Sequence, residues 1–158
     1  MTMLHTILGE TLQIFKREGI EVNTEEELIH KLDIRQSAYN EMFKSKADLV
    51  MQTVQHDLEE QKQEHARFLA LANSPVEEIM LLLQDGVQNL RHTNPRYITD
   101  LQQFYPEAWR LGIDHLHTYS YHQISDIINK GILQGLFRRD VNLQLVTKII
   151  LEQLFLIL

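Results

Sequence analysis

Residues 7–50, ILGETLQIFKREGIEVNTEEELIHKLDIRQSAYNEMFKSKADLV, decide how this chain folds. Leu4, Ile7, Leu8, Leu12 and Phe15 recur at three- and four-residue steps, which places them on one face of a first helix. Gly19 ends that helix, because glycine is the residue that best turns the chain at a helix C-terminus. Thr24 with Glu27 three places on forms a capping box, and a short second helix runs to Leu32. Asp33-Ile34-Arg35 is a tight break, followed by a third short helix from Gln36 to Met42. Ser45 and Asp48 open a long fourth helix to about Leu71. With Leu28, Leu32, Ile34 and Phe43 as apolar anchors, this is a helix-turn-helix with a supporting first helix.

The second short helix carries the chemistry. Gln36, Ser37, Tyr39, Asn40 and Glu41 are its outward residues on this reading. Gln and Asn amides can pair with adenine through two hydrogen bonds, and Ser reads either base type. Asn23 and Thr24 begin the preceding helix, whose backbone N–H groups suit a phosphate. Lys44 and Lys46 flank the start of the fourth helix, where they have two readings, contact with phosphates or plain solvated helix-start residues. Tyr39 has two readings, contact with DNA or packing beside Phe43. A plain three-helix bundle with no DNA function is the competing reading of the whole segment.

The Ile7-Leu8 start, Phe15, Gly19, Thr24, Leu28-Ile29, Ile34 and Phe43-x-Ser45-Lys46-x-x-Leu49 together resemble the DNA-binding domain of the TetR family. The resemblance covers roughly the first third of the chain. It implies a homodimeric regulator, probing double-stranded DNA with Arg35, Gln36, Ser37, Tyr39, Asn40, Lys44 and Lys46, and answering to a small-molecule effector. The sequence departs from the family pattern in three places. Asp33 stands where the family usually has glycine, and Arg35 where it often has serine. The tyrosine sits at Tyr39, one place before the family's usual phosphate-contacting position at Asn40.

Outward from this segment, helical periodicity continues. The chain has 158 residues with only six glycines and three prolines, and no alternating stretch suggests a sheet. The expectation is an all-α protein, with a helix-turn-helix domain over 1–50 and a helical ligand-binding and dimerisation domain over 51–158. The fourth helix belongs to both. Each proline marks a helix start, at Pro75, Pro95 and Pro106. Tyr105-Pro106 opens a long helix towards Gly131 and Gly135, and Asp140 is the expected cap of the last helix.

NPRYITDLQQFYPEAW (94–109) followed by Gly-x-x-x-Gly-Leu-Phe-Arg also resembles the family's sensing region. That resemblance implies a pocket closed by the helix at 95–104. Phe68, Met80, Leu83, Val87, Leu101, Phe104, Trp109, Tyr119 and His122 are its candidate lining, against the ordinary alternative that each is core. His115, Tyr119, His122 and Asp126 share one face of a regular helix, read as a polar stripe rather than a metal site. No metal or other cofactor is expected.

The last helix, NLQLVTKIILEQLFLIL (142–158), is apolar almost all round, so it is buried on more than one side. Ile149, Ile150, Leu154, Phe155 and Leu158 are the expected dimer contacts. Family members commonly continue with another helix that completes this interface, so the expectation from the resemblance is a truncated or partly ordered piece.

Composition sets the remaining bounds. Net charge is −7, and residues 1–50 hold six Lys/Arg against nine Asp/Glu, a balance of −3. That is acidic for a DNA binder, so the case rests on where the cations sit. There is no cysteine, no signal peptide at the start, and no run near the ~18 apolar residues of a membrane span. A cytoplasmic protein is expected. No nucleophile elbow, Gly-rich phosphate loop or His-Glu-x-x-His motif points to an enzyme.

Overall fold

The computed structural model describes the backbone of residues 2–157 and the side chains of residues 2–153. Within these, α1 (Met3–Glu18), α2 (Glu25–Lys31), α3 (Gln36–Met42), α4 (Lys46–Leu69), α5 (Pro75–Arg91), α6 (Pro95–Phe104), α7 (Pro106–His115), α8 (Tyr121–Leu133) and α9 (Leu143–Ile157) follow in order. A π-helical turn, Leu116–Ser120, joins α7 to α8. No strand occurs among the described residues, so the all-α expectation holds.

The helix starts follow from capping. Thr24 Oγ1 accepts the Glu27 N–H at 3.2 Å, and Ser45 Oγ accepts that of Asp48 at 3.1 Å. Asp48 reaches back to the Lys44 N–H at 2.9 Å. Ser74 and Glu77 repeat the arrangement before α5. Asn142, and not Asp140, caps α9, with its Oδ1 3.1 Å from the Leu145 N–H. Asp140 instead pairs with Arg138 two residues away, which takes its carboxylate from the helix end.

The chain divides into two compact units. The first comprises Met1–Gln61 with Arg91–Gly112, the second Lys62–Leu90 with Ile113–Leu158. The division does not follow a single cut at residue 50, because α6 and most of α7 pack with the first helices. Helix α4 contributes to both units.

In the first unit Ile7, Leu8, Leu12, Phe15, Leu28, Ile29, Leu49 and Val50 form one core with Tyr97, Leu101 and Ala108 of α6 and α7. Each large side chain buried there contributes about 1.5–3 kcal/mol over leaving it in water. In the second unit Ile124 and Ile128 of α8 pack on Leu151, flanked by Val146 and Ile150 of α9. Gly131 lets the Phe137 ring lie against α8, since a Cβ there would come within 2.3 Å of it.

The π turn corrects one sequence expectation. The extra residue in its turn offsets the register after Leu116, so spacings counted on a regular helix no longer define one face. His115 and Tyr119 still stack, with ring centroids 5.0 Å apart, while His122 is exposed.

Candidate nucleic-acid interface

Helix α3 is seven residues long and buries only Tyr39 of its own length. Gln36, Ser37 and Asn40 are exposed on its outer side, with Arg35 just before them. The Gln36 Nε2 donates to Asn40 Oδ1 at 3.0 Å, one helical turn away. This bond ties the two exposed amides together and uses the Gln36 NH2 as donor and the Asn40 oxygen as acceptor.

Tyr39 points the other way. It is 1% exposed and its ring lies 5.2 Å from that of Phe43. Packing is therefore its role, and its side chain is withdrawn from any DNA contact. The family's tyrosine position, filled here by Asn40, is the exposed one. Burial, then the nearby Glu25 carboxylate, push the Tyr39 hydroxyl pKa well up, though the hydroxyl closes no hydrogen bond of good geometry.

The cations are placed unevenly. Lys44 is exposed. Lys46 is half-buried, donating from Nζ to the Asn23 carbonyl at 2.5 Å with Glu21 at 3.6 Å. Asn23 is 1% exposed, its side chain held between Glu18 and Lys31. Both residues therefore build the loop between α1 and α2, and Asn23 presents no side chain to a phosphate. Thr24 remains exposed as the α2 cap. The acidic run is also partly used up, because Glu25 accepts the Lys46 N–H at 3.1 Å and so caps α4.

Sequence reasoning missed the tie between this region and α6. The Asn94 N–H donates to the Lys16 carbonyl at 2.6 Å, and its side-chain amide donates to the Arg17 carbonyl at 3.2 Å. Asp100 Oδ2 accepts the N–H groups of Ile20 and Glu21. Tyr105 donates its hydroxyl to Glu21. The only sequence signal was Asn94-Pro95 as a helix start, which says nothing about partners 77 residues away.

The predicted pocket residues divide between the two units. Leu101, Phe104 and Trp109 belong to the first unit, where Leu101 is core and Trp109 packs against it. Phe104 edges a groove of about 440 Å³ with Ser45, Asp48, Met51 and Tyr105. In the second unit Met80, Leu83 and Val87 are 54%, 40% and 46% exposed, an outward apolar stripe on α5. Phe68 and Tyr119 stand in a better setting. Phe68 packs on His65, Lys62 lies over the Tyr119 ring, and His65 Nε2 meets Asp85 at 2.9 Å. The other ring nitrogen of His65 is buried without a partner.

On α9, Ile150 faces inward onto α8 while Ile149 is exposed, as is Leu145. The side chains of Leu154, Phe155 and Leu158 lie outside the described residues. Among the described helices none is long and apolar enough to cross a membrane.

The all-α fold of this chain is that of solved TetR family transcriptional regulators. It is similar to the TetR family regulator PfmR from Thermus thermophilus, at 21% identity and TM-score 0.69, over 96% of this chain and 84% of that one. It is similar also to a cysteine mutant of the TetR family regulator CifR, solved with 26 bp of double-stranded operator DNA. There identity is 20% and TM-score 0.71, over 97% of this chain and 83% of the other. No protein-family model matches the sequence, and no curated protein does either.

Proposed function

We propose that the chain is a ligand-responsive transcriptional regulator of the TetR type, a repressor that binds a pseudo-palindromic operator as a homodimer and catalyses no reaction. The observation that carries this reading is the pair of hydrogen-bonded amides, Gln36 and Asn40, exposed on a short helix whose other side is core. Such a helix fits a major groove, and paired amides favour adenine. The similarity to CifR, solved with operator DNA, supports the same reading. Arg35 and Lys44 are the cations best placed for phosphates, with Ser37 and Thr24 as polar neighbours.

The dimer is assigned to α8, α9 and the segment between them, where Leu133, Leu136, Leu145 and Ile149 are exposed apolar side chains of one unit. Two copies would set their recognition helices about 34–36 Å apart on the operator. The effector is assigned to the second unit, around His65, Phe68 and Tyr119. The unpartnered His65 nitrogen suits a ligand N–H or O–H beside aromatic surface. Because α6 follows α5 directly in the chain and is tied to the α1–α2 loop, effector binding that shifts α5 would bias the helix-turn-helix.

A second reading is a helical ligand-binding protein of this fold with weakened DNA binding. The engagement of Lys46 by Asn23 and Glu21 favours it, since that amine is then committed within the domain.

Fluorescence anisotropy of the full chain against labelled fragments of its own upstream DNA, at two salt concentrations, separates the two. Tight, steeply salt-dependent binding to one fragment is expected. Lys44→Ala should lower the salt slope by about one, and Gln36→Ala or Asn40→Ala should change which sequence is preferred. Weak binding to every fragment alike would overturn the regulator reading in favour of the second.

A further inference from the structure

We propose that His5, His56 and Glu60 form a binding site for a divalent transition-metal ion, of the zinc or cobalt kind, that clips α1 to α4. His5 lies in the first turn of α1, and His56 and Glu60 stand four residues apart on α4, hence on one face. One ligand atom from each residue lies within 4.8 Å of the other two. The His5 Nε2 is 3.2 Å from a Glu60 carboxylate oxygen, and the two imidazole rings meet edge to face with centroids 4.5 Å apart.

These separations match the chemistry. Bonds of about 2.0–2.2 Å from nitrogen or carboxylate oxygen to a tetrahedral ion place the donor atoms roughly 3.3–3.5 Å apart. One pair is already near that spacing, and the third donor lies within 4.8 Å of both. Two imidazoles with one carboxylate form a donor set that suits zinc, cobalt or nickel, whereas magnesium and calcium prefer oxygen alone. Three protein ligands leave the fourth position open to water or to a further ligand. Gly9, on the same side of α1, places no side chain over His56 Nε2. All three ligands are half-buried, so an ion can reach them from solvent.

The bland alternative is an ion pair between His5 and Glu60 with a ring contact to His56. A lone ion pair does not call for a second imidazole set edge-on to the first with ring centroids 4.5 Å apart.

The site stands whether or not the chain binds DNA, and its test uses no DNA. The full chain, purified without an affinity tag and stripped by chelator, is titrated with cobalt(II) followed by visible absorption and with zinc(II) followed by calorimetry. One ion per chain, ligand-field bands typical of tetrahedral cobalt, and a higher unfolding temperature with zinc are expected. His5→Gln, His56→Ala and Glu60→Gln should each weaken binding at least about tenfold. His122→Ala should bind as the unaltered chain does. His5→Gln keeps a polar side chain of similar reach, so its urea midpoint without metal separates loss of a ligand from loss of fold. No stoichiometric binding, or binding indifferent to His5→Gln and His56→Ala, would overturn the proposal and leave the ion pair as the role of these residues.

Discussion

Asp100 accepts the backbone N–H of Ile20 at 2.9 Å, and through the same oxygen that of Glu21 at 3.0 Å. These two donors follow Gly19, where the chain has left α1 and has no helical acceptor to offer them. A carboxylate from α6 therefore does what a capping residue would do locally. Asp100→Ala leaves both groups without their acceptor and should cost about 1–3 kcal/mol in a urea titration. Asp100→Asn keeps an acceptor oxygen and should recover most of that loss. Equal losses in the two variants would place the effect outside these hydrogen bonds.

Gly19 is constrained twice. Its φ is +92°, a region that side-chain-bearing residues rarely occupy, and a Cβ there would lie 2.9 Å from Arg96 Cβ. Gly19→Ala should therefore destabilise the chain by more than about 1 kcal/mol, since strain and a backbone-proximal clash act together. Adding Arg96→Gly to that variant should return part of the loss, which a double-mutant cycle would read as positive coupling.

Tyr39 separates packing from recognition. Its hydroxyl has no hydrogen-bond partner, so Tyr39→Phe should leave the urea midpoint unchanged or raise it slightly. Tyr39→Ala should cost about 3–5 kcal/mol, the range for losing a buried aromatic side chain. DNA affinity of Tyr39→Phe should equal that of the unaltered chain. A loss of affinity in Tyr39→Phe at unchanged stability would return this residue to the DNA interface.

Acid should weaken the α1–α2 junction. Lys31 bonds to Glu18 at 3.0 Å and, with Asn23, holds its carboxyl below the ordinary value of 4.5. A lowered folded pKa adds stability above the unfolded value. That contribution is lost as pH falls through the folded value. Stability measured from about pH 6 downwards should therefore decline below about 4.5. Lys31→Ala should flatten that part of the decline while lowering stability at neutral pH.

Asp33 occupies the left-handed region with φ 52°, where the family pattern has glycine. Asp tolerates this conformation better than most residues, though not without strain. Asp33→Gly should raise stability by about 0.5–1 kcal/mol, the strain relieved exceeding the added freedom of the unfolded chain. A lower urea midpoint would mean that the Asp33 side chain makes a contact worth more than the strain.

Local chemistry made the ends of α1 to α6 legible. Thr24, Ser45, Ser74, Asn94 and Gly19 announce helix ends through groups no more than a few residues away, and the structure places each at such an end. The apolar spacing of Ile7, Leu8, Leu12 and Phe15 shows which face of α1 is buried, because that face is set by the helix period alone. For the candidate interface, the same reasoning found Gln36, Ser37 and Asn40 on the outer side of α3. It could not choose between two readings of Tyr39, since either satisfies an amphipathic side chain.

What the sequence by itself determined, then, is the run of helices and the polar face of α3, both governed by interactions within about four residues. Tertiary structure alone decided the rest. It turned Tyr39 inward, committed Lys46 and Asn23 to the α1–α2 loop, moved α6 into the unit of the first helices, and set His5 against His56 and Glu60. It also left Met80, Leu83 and Val87 exposed on α5. Each of these outcomes depends on which distant group arrives beside a side chain, and helical periodicity, which repeats every few residues, carries no information about contacts between groups far apart along the chain.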